Sequence, residues 1–554
     1  FKNCKWINTS CNSLYGGGTG LFIFNSKIPF QVSFDNCLFK NNYHVNRGGA
    51  FQCGKYSILL NTSIHIFNCT FIENEAMFHG GALAIQTILP FSIDNCSFYS
   101  NKAQVGGAIF IETTQFWLGM EYSAESVSIT NCTFNNNAAI SGNGNGKSSG
   151  NGIYIGNGTS QVNIENCKFV DCGTTGSVIS LCYEGCKNKQ NCDIKKTDQY
   201  IYSCAFENSE PNDAVFLYFY GFFEQINIDK CIFDGHSQTS NSCFNLSFYQ
   251  CSFSFMSNIM KNFNNIGSKN YNGIIKFINQ TDILNVFNMT FQNNSCSSLY
   301  GGGAGILIEG ISKLVFNQCK FINNKANQDR TESRPPFDSN KQYYNGDGGG
   351  IQFGYLSSII YIDVSFEECI FKGNKAHRHG GAIAIQTLSQ ISIIKCTFEQ
   401  NSANIESDSS SELLSDDHFY DNQEGKGGSI YINPSFDTDY LDNEMNQIST
   451  TSSIFISECL FESNPSFDGS SIYIAGKDRG NEINITKNDF NNDDNENNKP
   501  IILSEICRIS QEQLIEDNNF TNLNENEPNI LSTNCKYTAS QKFKNSDVFT
   551  YSHI

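Results

Sequence analysis

The chain is poor in proline, methionine and tryptophan, with only 9, 6 and 2 of them in 554 residues, and charged residues make up 16% of it. This composition excludes a coiled coil and a solvated disordered chain, since 39% of the residues are apolar and can form a core. Cations are scarcer than anions: 36 Lys and Arg against 55 Asp and Glu give a net charge of −19. Such a surface repels phosphate, so we expect no nucleic-acid partner.

Long apolar runs are also missing. The longest is residues 214–223 (AVFLYFYGFF), about half the length that a helix needs to cross a bilayer, so no transmembrane segment is predicted within this chain. The chain begins at Phe1 and contains no recognisable signal peptide. We therefore expect a mature product or a piece of a longer protein.

A short repeat dominates what is present. A Cys-x-Phe tripeptide recurs along the chain, and each unit has the pattern apolar-x-apolar-x-x-Cys-x-Phe. This pattern is typical of two strands of period two whose phase shifts by one residue at a two-residue corner. We predict an interior ladder formed by Cys37, Phe39, Cys69, Phe71, Cys96, Phe98, Cys132, Phe134, Cys167, Phe169, Cys319, Phe321, Cys369, Phe371, Cys396 and Phe398. Further units are assigned at Cys204, Cys231, Cys251 and Cys459, and Met289 and Asn488 replace the cysteine in two others.

The phase shift indicates that the chain coils. On a flat strand the shift would turn Cys and Phe outward, whereas a bend at the corner keeps all four apolar side chains on one interior side. Asn tolerates the left-handed backbone of such a bend. It stands just before the Cys in five successive units: Asn36, Asn68, Asn95, Asn131 and Asn166. Another Asn lies five residues after the Cys position in nine of fourteen units, and it predicts a second Asn corner per turn.

Glycines followed by alternating apolar residues begin a third strand, as at Gly80-Gly-Ala-Leu. Three short strands and three corners per unit predict an all-β, single-stranded parallel β-helix, a pectin-lyase-like solenoid of about sixteen coils with loop insertions. We expect it to be right-handed, because parallel crossover connections almost always are.

The repeats also suggest how the chain is organised. We predict a β-helix repeat domain over residues 1–500, degenerate terminal coils over 501–535 and a polar tail over 536–554. An internal duplication relates residues of about 11–101 to residues of about 296–401. The ten residues that begin at Cys11 and the ten that begin at Cys296 are identical at eight positions.

The units resemble a known family. Gly80-Gly-Ala-Leu with Phe98-Tyr-Ser-Asn101, and Gly380-Gly-Ala-Ile with Phe398-Glu-Gln-Asn401, are similar to the repeats of the chlamydial polymorphic outer membrane proteins (Pmp) and of repeat-rich surface proteins of parasitic protists. The resemblance covers roughly residues 1–500. It implies a right-handed β-helix passenger, an extracellular or cell-surface location, and surface display with adhesion to host or other cells.

We therefore expect a non-enzymatic surface or secreted protein that contacts host cells, matrix or glycans. The alternative is a polysaccharide lyase or hydrolase of the same fold, since a fold alone does not define a function. Such an enzyme needs carboxylates on neighbouring coils, whereas acids alternate with other residues at the position two before the Cys. We predict no catalytic residue, metal site or cofactor, and we expect His79 and His379 to be exposed corner residues.

The remaining candidates are cysteines and glycosylation sequons. Cys172, Cys182, Cys186 and Cys192 cluster in a polar segment, which predicts a disulfide-stapled loop in an extracellular protein or a metal site in a cytosolic one, whereas the ladder cysteines are expected to be stacked free thiols. Twelve Asn-x-Ser/Thr sequons occur. Where the sequon Asn stands just before the cysteine of a repeat, the left-handed corner explains its presence. We expect the sequons in loops to be the better glycan acceptors: Asn61, Asn157 and Asn279.

Overall fold

A computed structural model shows strands and no helix in the part of the chain that it describes, and the strands pair in parallel. It confirms the predicted all-β parallel β-helix. Within those residues there is accordingly no helix long and apolar enough to cross a membrane. The described residues are 1–12, 21–23, 31–53, 63–86, 90–112, 126–140, 150–156, 159, 161–182, 198–209, 215–236, 244–249, 252–265, 275–296, 306–326, 348–354, 363–377, 379–386, 390–403, 427–432, 453–466, 471–475, 482–491, 501–504, 514–516, 518–521, 530–533 and 548–551.

The chain divides into two compact units, Phe1–Phe263 with Phe277–Thr281, and Asn264–Lys276 with Asp282–Ile554. Each unit repeats the same coil of four strands. The first strand precedes the Cys of the repeat and belongs to sheet I, and the second contains the Phe and belongs to sheet II. A two-residue strand follows, and the last strand begins after the glycines and belongs to sheet III. The strand Ile275–Phe287 contributes residues to both units.

In the first unit, sheet I consists of Gln31–Asp35, Ser63–Phe67, Phe91–Asp94, Ser126–Thr130, Gln161–Glu165, Asp198–Tyr202, Gln225–Asp229 and Ser252–Met256. Sheet II consists of Lys5–Ile7, Leu38–Lys40, Thr70–Ile72, Ser97–Tyr99, Thr133–Asn135, Lys168–Val170, Ala205–Glu207, Ile232–Asp234 and Ile259–Lys261. The two-residue strands are Ser10–Cys11, Tyr43–His44, Glu75–Ala76, Lys102–Ala103 and Ala138–Ala139. Sheet III consists of Leu21–Ile23, Phe51–Cys53, Leu83–Ile85, Ile109–Ile111, Ile153–Ile155, Ser177–Cys182, Val215–Phe222 and Phe244–Tyr249.

In the second unit, Ile275–Phe287 and Ile306–Asn317 are long strands, followed in sheet I by Asp363–Glu367, Gln390–Ile394, Ser453–Ser457, Glu482–Thr486 and Leu514–Glu516. Sheet II consists of Thr290–Gln292, Lys320–Ile322, Ile370–Lys372, Thr397–Glu399, Leu460–Glu462, Asp489–Asn491 and Asn519–Thr521. The two-residue strands are Asn264–Asn265, Ser295–Cys296, Lys325–Ala326, Lys375–Ala376 and Ser402–Ala403. Sheet III consists of Ile351–Gly354, Ile383–Gln386, Ile430–Ile432, Ile472–Ala475, Ile501–Ser504, Ile530–Thr533 and Val548–Tyr551, so the predicted polar tail contributes its last strand.

Phenylalanine rings form a column inside each unit. The register aligns Phe98 with Phe134 on the next coil, and their rings stack 4.8 Å apart at an angle of 3°. The same spacing continues through Phe39, Phe71, Phe169, Phe206 and Phe233 in the first unit, and through Phe291, Phe321, Phe371, Phe398, Phe461 and Phe490 in the second. Because these rings are almost fully buried, the column supplies much of the apolar core.

A column of thiols runs beside the rings. The Cys69 N–H donates to Cys96 Sγ at 3.3 Å, and that sulfur donates to the Ile66 carbonyl of the preceding coil at 3.6 Å. Cys96 therefore links two coils as acceptor and as donor, and so do Cys132, Cys231 and Cys459. The column cysteines are buried and free: Cys37, Cys69, Cys96, Cys132, Cys167, Cys204 and Cys231 in the first unit, and Cys319, Cys369, Cys396 and Cys459 in the second.

The corner before each thiol is left-handed, as the Asn residues indicated: φ is 51° at Asn68, 52° at Asn95 and 53° at Asn131. The second Asn of each coil, in contrast, is not a corner residue. Asn74 and Asn101 are completely buried, and the left-handed residue comes one position earlier. The predicted second Asn corner is therefore wrong by one residue, because the amide is needed inside the coil.

Those buried amides form a second ladder. The Asn74 N–H and Nδ2 both donate to Asn101 Oδ1, at 3.1 and 2.9 Å, and Asn101 Nδ2 donates to the Phe71 carbonyl at 3.0 Å. This pattern matches that of the thiols, so each coil is bound to its neighbour at two interior corners. The ladder residues are Asn42, Asn74, Asn101 and Asn137 in the first unit, and Asn294, Asn324, Asn374, Asn401 and Asn464 in the second.

One predicted unit has the wrong frame. Phe253 pairs with Ile226 in sheet I rather than with a sheet II phenylalanine, and Met260 pairs with Phe233. The thiol position belongs to Asn258, whose Oδ1 accepts from the Cys231 N–H at 2.8 Å. The Cys251 assignment fails because Asn makes the same two hydrogen bonds as Cys, while Cys251 itself lies outside the described residues.

Two cysteines of the predicted stapled loop belong to the core instead. Cys172 is buried at the position of the Asn ladder, where its Sγ donates to the Phe134 carbonyl at 3.6 Å, and Cys182 is a buried residue of a sheet III strand. Neither forms a disulfide bond within the described residues, so the loop prediction is wrong for them. Cys186 and Cys192 lie outside the described residues.

Candidate binding face

The outer surface of sheet I in the first unit carries the candidate site. Along Asp198–Tyr202 the burial alternates, so Gln199 and Ile201 point into the core while Tyr200 and Tyr202 point outward. The next strand on each side alternates in the same way. We call the outward side chains of these three strands the tyrosine face: Asn163, Glu165, Tyr200, Tyr202, Asn227 and Asp229.

The register fixes the neighbours of the two tyrosines. Tyr200 lies between Asn163 and Asn227, and Tyr202 lies between Glu165 and Asp229, in each case one strand apart. Because Tyr is longer than Asn or Asp, the upper part of each half-buried ring stands above a floor of amides and carboxylates. The face therefore offers aromatic surface and polar groups side by side.

Two polar atoms of this face lack a hydrogen-bond partner in the described part of the chain. Asn227 Oδ1 accepts a hydrogen bond from Gln225 Nε2 at 3.1 Å. Asn227 Nδ2 and Asp229 Oδ1 have none among the described residues, and neither atom is open to solvent. Because both atoms are covered, they do not themselves offer contacts to a ligand on the face.

A lysine lies at the corner that forms one edge of the tyrosine face. Lys230 Nζ donates to the Tyr202 hydroxyl and lies 4.8 Å from the centre of that ring. This hydrogen bond raises the pKa of the Lys230 ammonium, which is fully exposed. The face is thus lined by acids on its strands and by a cation at its edge.

The two acids of the face do not lie on adjacent strands. Tyr202 separates Glu165 from Asp229, so these carboxylates are two strands apart. Across the described ranges, no three His, Cys, Asp or Glu side chains come close enough together to hold a metal ion.

The two histidines of the duplicated segment are not exposed corner residues, as the sequence had led us to expect. His379 is only 5% exposed and stacks on Tyr431 with ring centres 4.4 Å apart. His79 is half-buried and lies 4.4 Å from the Phe110 ring. Their imidazoles thus pack on buried aromatic side chains of sheet III, a contact between coils that periodicity does not reveal.

Burial suppresses the ionisation of two interior thiols. It raises the pKa of Cys53, in sheet III, to about 12, and that of Cys172 to about 12 as well. These groups stay protonated near neutral pH, so they act as small apolar side chains with weak hydrogen bonds. The predicted acceptors Asn61 and Asn157 lie outside the described residues, whereas Asn279 lies in the strand Ile275–Phe287 and not in a loop.

The chain shows two sequence similarities to known proteins. The repeat of the Chlamydia polymorphic membrane protein family matches residues 368–386, which include Cys369, Phe371 and Gly380. A metabotropic glutamate receptor-like protein R of Dictyostelium discoideum is 28% identical over 341 residues, which cover 58% of this chain and 18% of that protein. No solved structure matches the chain.

Proposed function

We propose that this chain is a non-enzymatic, extracellular or cell-surface β-helix protein that mediates adhesion by binding glycans of another cell or of the matrix. The observation that carries the proposal is the tyrosine face. Two neighbouring aromatic rings there stand among amide and carboxylate side chains on a flat parallel sheet. Sugar rings stack on aromatic surfaces and present hydroxyls that both donate and accept hydrogen bonds.

The similarities support a surface protein. A repeat of a chlamydial membrane protein family and a relative described as receptor-like both fit that location. Since the chain spans 18% of that relative, the activity of the whole relative is not transferred to it.

The experiment is a glycan array probed with the recombinant chain, followed by titration of the best ligand. The variant Tyr200→Ala with Tyr202→Ala removes both rings, each of which contributes about 1 kcal/mol, so we expect affinity to fall about tenfold or more. Tyr99→Ala is the matched control, because Tyr99 is an exposed tyrosine of sheet II, outside the face.

Two results would contradict this function. One is a double variant that binds with the affinity of the unchanged chain, or an array on which the unchanged chain binds nothing. The other is release of unsaturated or reducing sugars from pectic polymers by the chain, which would favour the alternative, a polysaccharide lyase or hydrolase.

A further inference from the structure

The corner between sheets I and II presents a row of identical asparagines to solvent in the first unit. Asn68, Asn95 and Asn131 lie on three successive coils, are exposed and share a left-handed φ of 51–53°. Asn95 Nδ2 donates to Asn68 Oδ1 at 3.3 Å, whereas Asn131 Nδ2 donates to Asp94 Oδ1 at 2.8 Å, all on the exterior. None of these amides is needed to satisfy a buried group.

The strand that follows completes an acceptor motif at each corner. The residue two positions later is Thr70, Ser97 or Thr133, and each lies on the outer side of sheet II, between the buried Cys and Phe. The intervening cysteine points into the core. Asparagine and hydroxyl therefore share one exposed edge, as Asn-x-Ser/Thr glycosylation requires.

We propose that Asn68, Asn95 and Asn131 carry N-linked glycans, which form a sugar-covered edge on the first unit. In the transfer, Nδ2 attacks C1 of a lipid-diphosphate-linked oligosaccharide. A bond between nitrogen and C1 forms, the bond between C1 and the diphosphate oxygen breaks, and one amide proton leaves. The remaining N–H of Asn68, Asn95 or Asn131 can keep its external hydrogen bond, so no buried group has to move.

The row ends where the tyrosine face begins. On the following coils the corner residue is Asn166, Ser203 and Lys230, all with φ of 52–54°, and none of them is followed by a sequon. Sugars would therefore cover one stretch of this edge and leave the stretch beside Tyr200 and Tyr202 open to a partner.

The test expresses the whole chain as a secreted protein in a eukaryotic host and releases its N-glycans enzymatically in heavy-oxygen water, which marks each formerly glycosylated asparagine for mass spectrometry. We expect label at Asn68, Asn95 and Asn131. Asn36 and Asn166 are matched controls, since they have the same exposure and backbone but are followed by Leu38 and Lys168, and they should stay unlabelled.

Substitutions at the hydroxyl position test the motif without changing the asparagine. Thr70→Val should abolish the label at Asn68 alone, while Leu38→Thr and Lys168→Thr should create label at Asn36 and Asn166. Label that appears at the other sequons but at none of the three corners would overturn the proposal, and so would a chain without any label. Neither outcome depends on whether the tyrosine face binds glycans, so the two proposals fail separately.

Discussion

At the scale of single residues, the two interior corners follow one chemical rule. Asn488 occupies a thiol position, where its Oδ1 accepts from the Cys459 N–H at 2.9 Å and its Nδ2 donates to the Ile456 carbonyl at 3.1 Å. Cys172 occupies an amide position and donates to the equivalent carbonyl. At these corners a short side chain accepts an amide hydrogen bond and donates to a carbonyl of the preceding coil, and either Asn or Cys can provide it. The buried Met289 is an exception, since it fills a thiol position without a donor.

This rule predicts the effect of changing Asn101. Asn101→Leu leaves the Asn74 N–H buried without its acceptor, which should lower the free energy of unfolding by about 2 kcal/mol or more. Asn101→Cys should cost clearly less, because Cys172 fills the same position on another coil. The midpoint of thermal unfolding measures both. Equal losses for Leu and Cys would show that the hydrogen bonds do not matter.

Gln199 breaks the pattern of the core. It is 1% exposed, pairs with Val162 and Ile226, and neither its Oε1 nor its Nε2 has a hydrogen-bond partner in the described part of the chain. A buried amide without partners costs about 1–3 kcal/mol, so Gln199→Leu should raise the thermal midpoint. A lower midpoint would show that the amide is satisfied in solution.

The buried thiols predict how stability changes in alkali. An unfolded thiol has a pKa near 9, whereas burial raises those of Cys53 and Cys172 to about 12. Between these values the folded chain holds more protons than the unfolded chain, so stability falls as the pH rises from about 9 to 12. Thermal midpoints across this range should fall less steeply for Cys53→Val than for the unchanged chain. Identical slopes would contradict the assignment.

At the scale of elements, the coil was predictable because its signal repeats. The apolar pattern shifts by one residue between Phe34 and Cys37, and only a bend of the chain there buries both side chains. This shift recurs on almost every coil. The position of the second corner was not predictable, because Asn41 and Asn42 are both polar. Only the packing of coils determines that Asn41 turns the chain while Asn42 is buried.

The candidate face was partly predictable for the same reason. Alternation identifies Tyr200 and Tyr202 as outward residues. It does not reveal that Asn227 and Asp229 are their neighbours, because the number of residues between coils varies and the register depends on loop lengths. The contact between Lys230 and Tyr202 likewise joins residues of adjacent coils.

The glycine-led strands predict a severe effect from a small change. A methyl group at Gly81 would overlap the Gly107 carbonyl oxygen and the Lys102 amide, and backbone atoms cannot move aside. We expect Gly81→Ala to prevent stable coil stacking, seen as a loss of soluble folded protein. Gly156→Ala is the control, since it would meet only the flexible side chains of Tyr154 and Glu112. Equal yields of both variants would contradict the close approach.

At the scale of the whole molecule, function follows from the coil repeat. Residues distant in sequence come together because successive strands align, which is how Glu165, Tyr202 and Asp229 come to share one face. The proposed glycosylated edge at Asn68, Asn95 and Asn131 and the tyrosine face lie on the same repeat, and they differ only in which side chain each coil presents. Both therefore depend on the register of the stack.

The most direct test of that register is a set of distances between pairs of spin labels in the first unit. The genetically encoded ketone residue p-acetylphenylalanine carries the labels, because it avoids the native thiols, and replaces Ile232 together with one of Leu38, Thr70 or Ser97. These sites are six, five and four strands from Ile232 in sheet II. At about 4.8 Å per strand we expect mean distances of about 29, 24 and 19 Å. Distances that do not shorten by one strand spacing at each step would contradict the parallel coil.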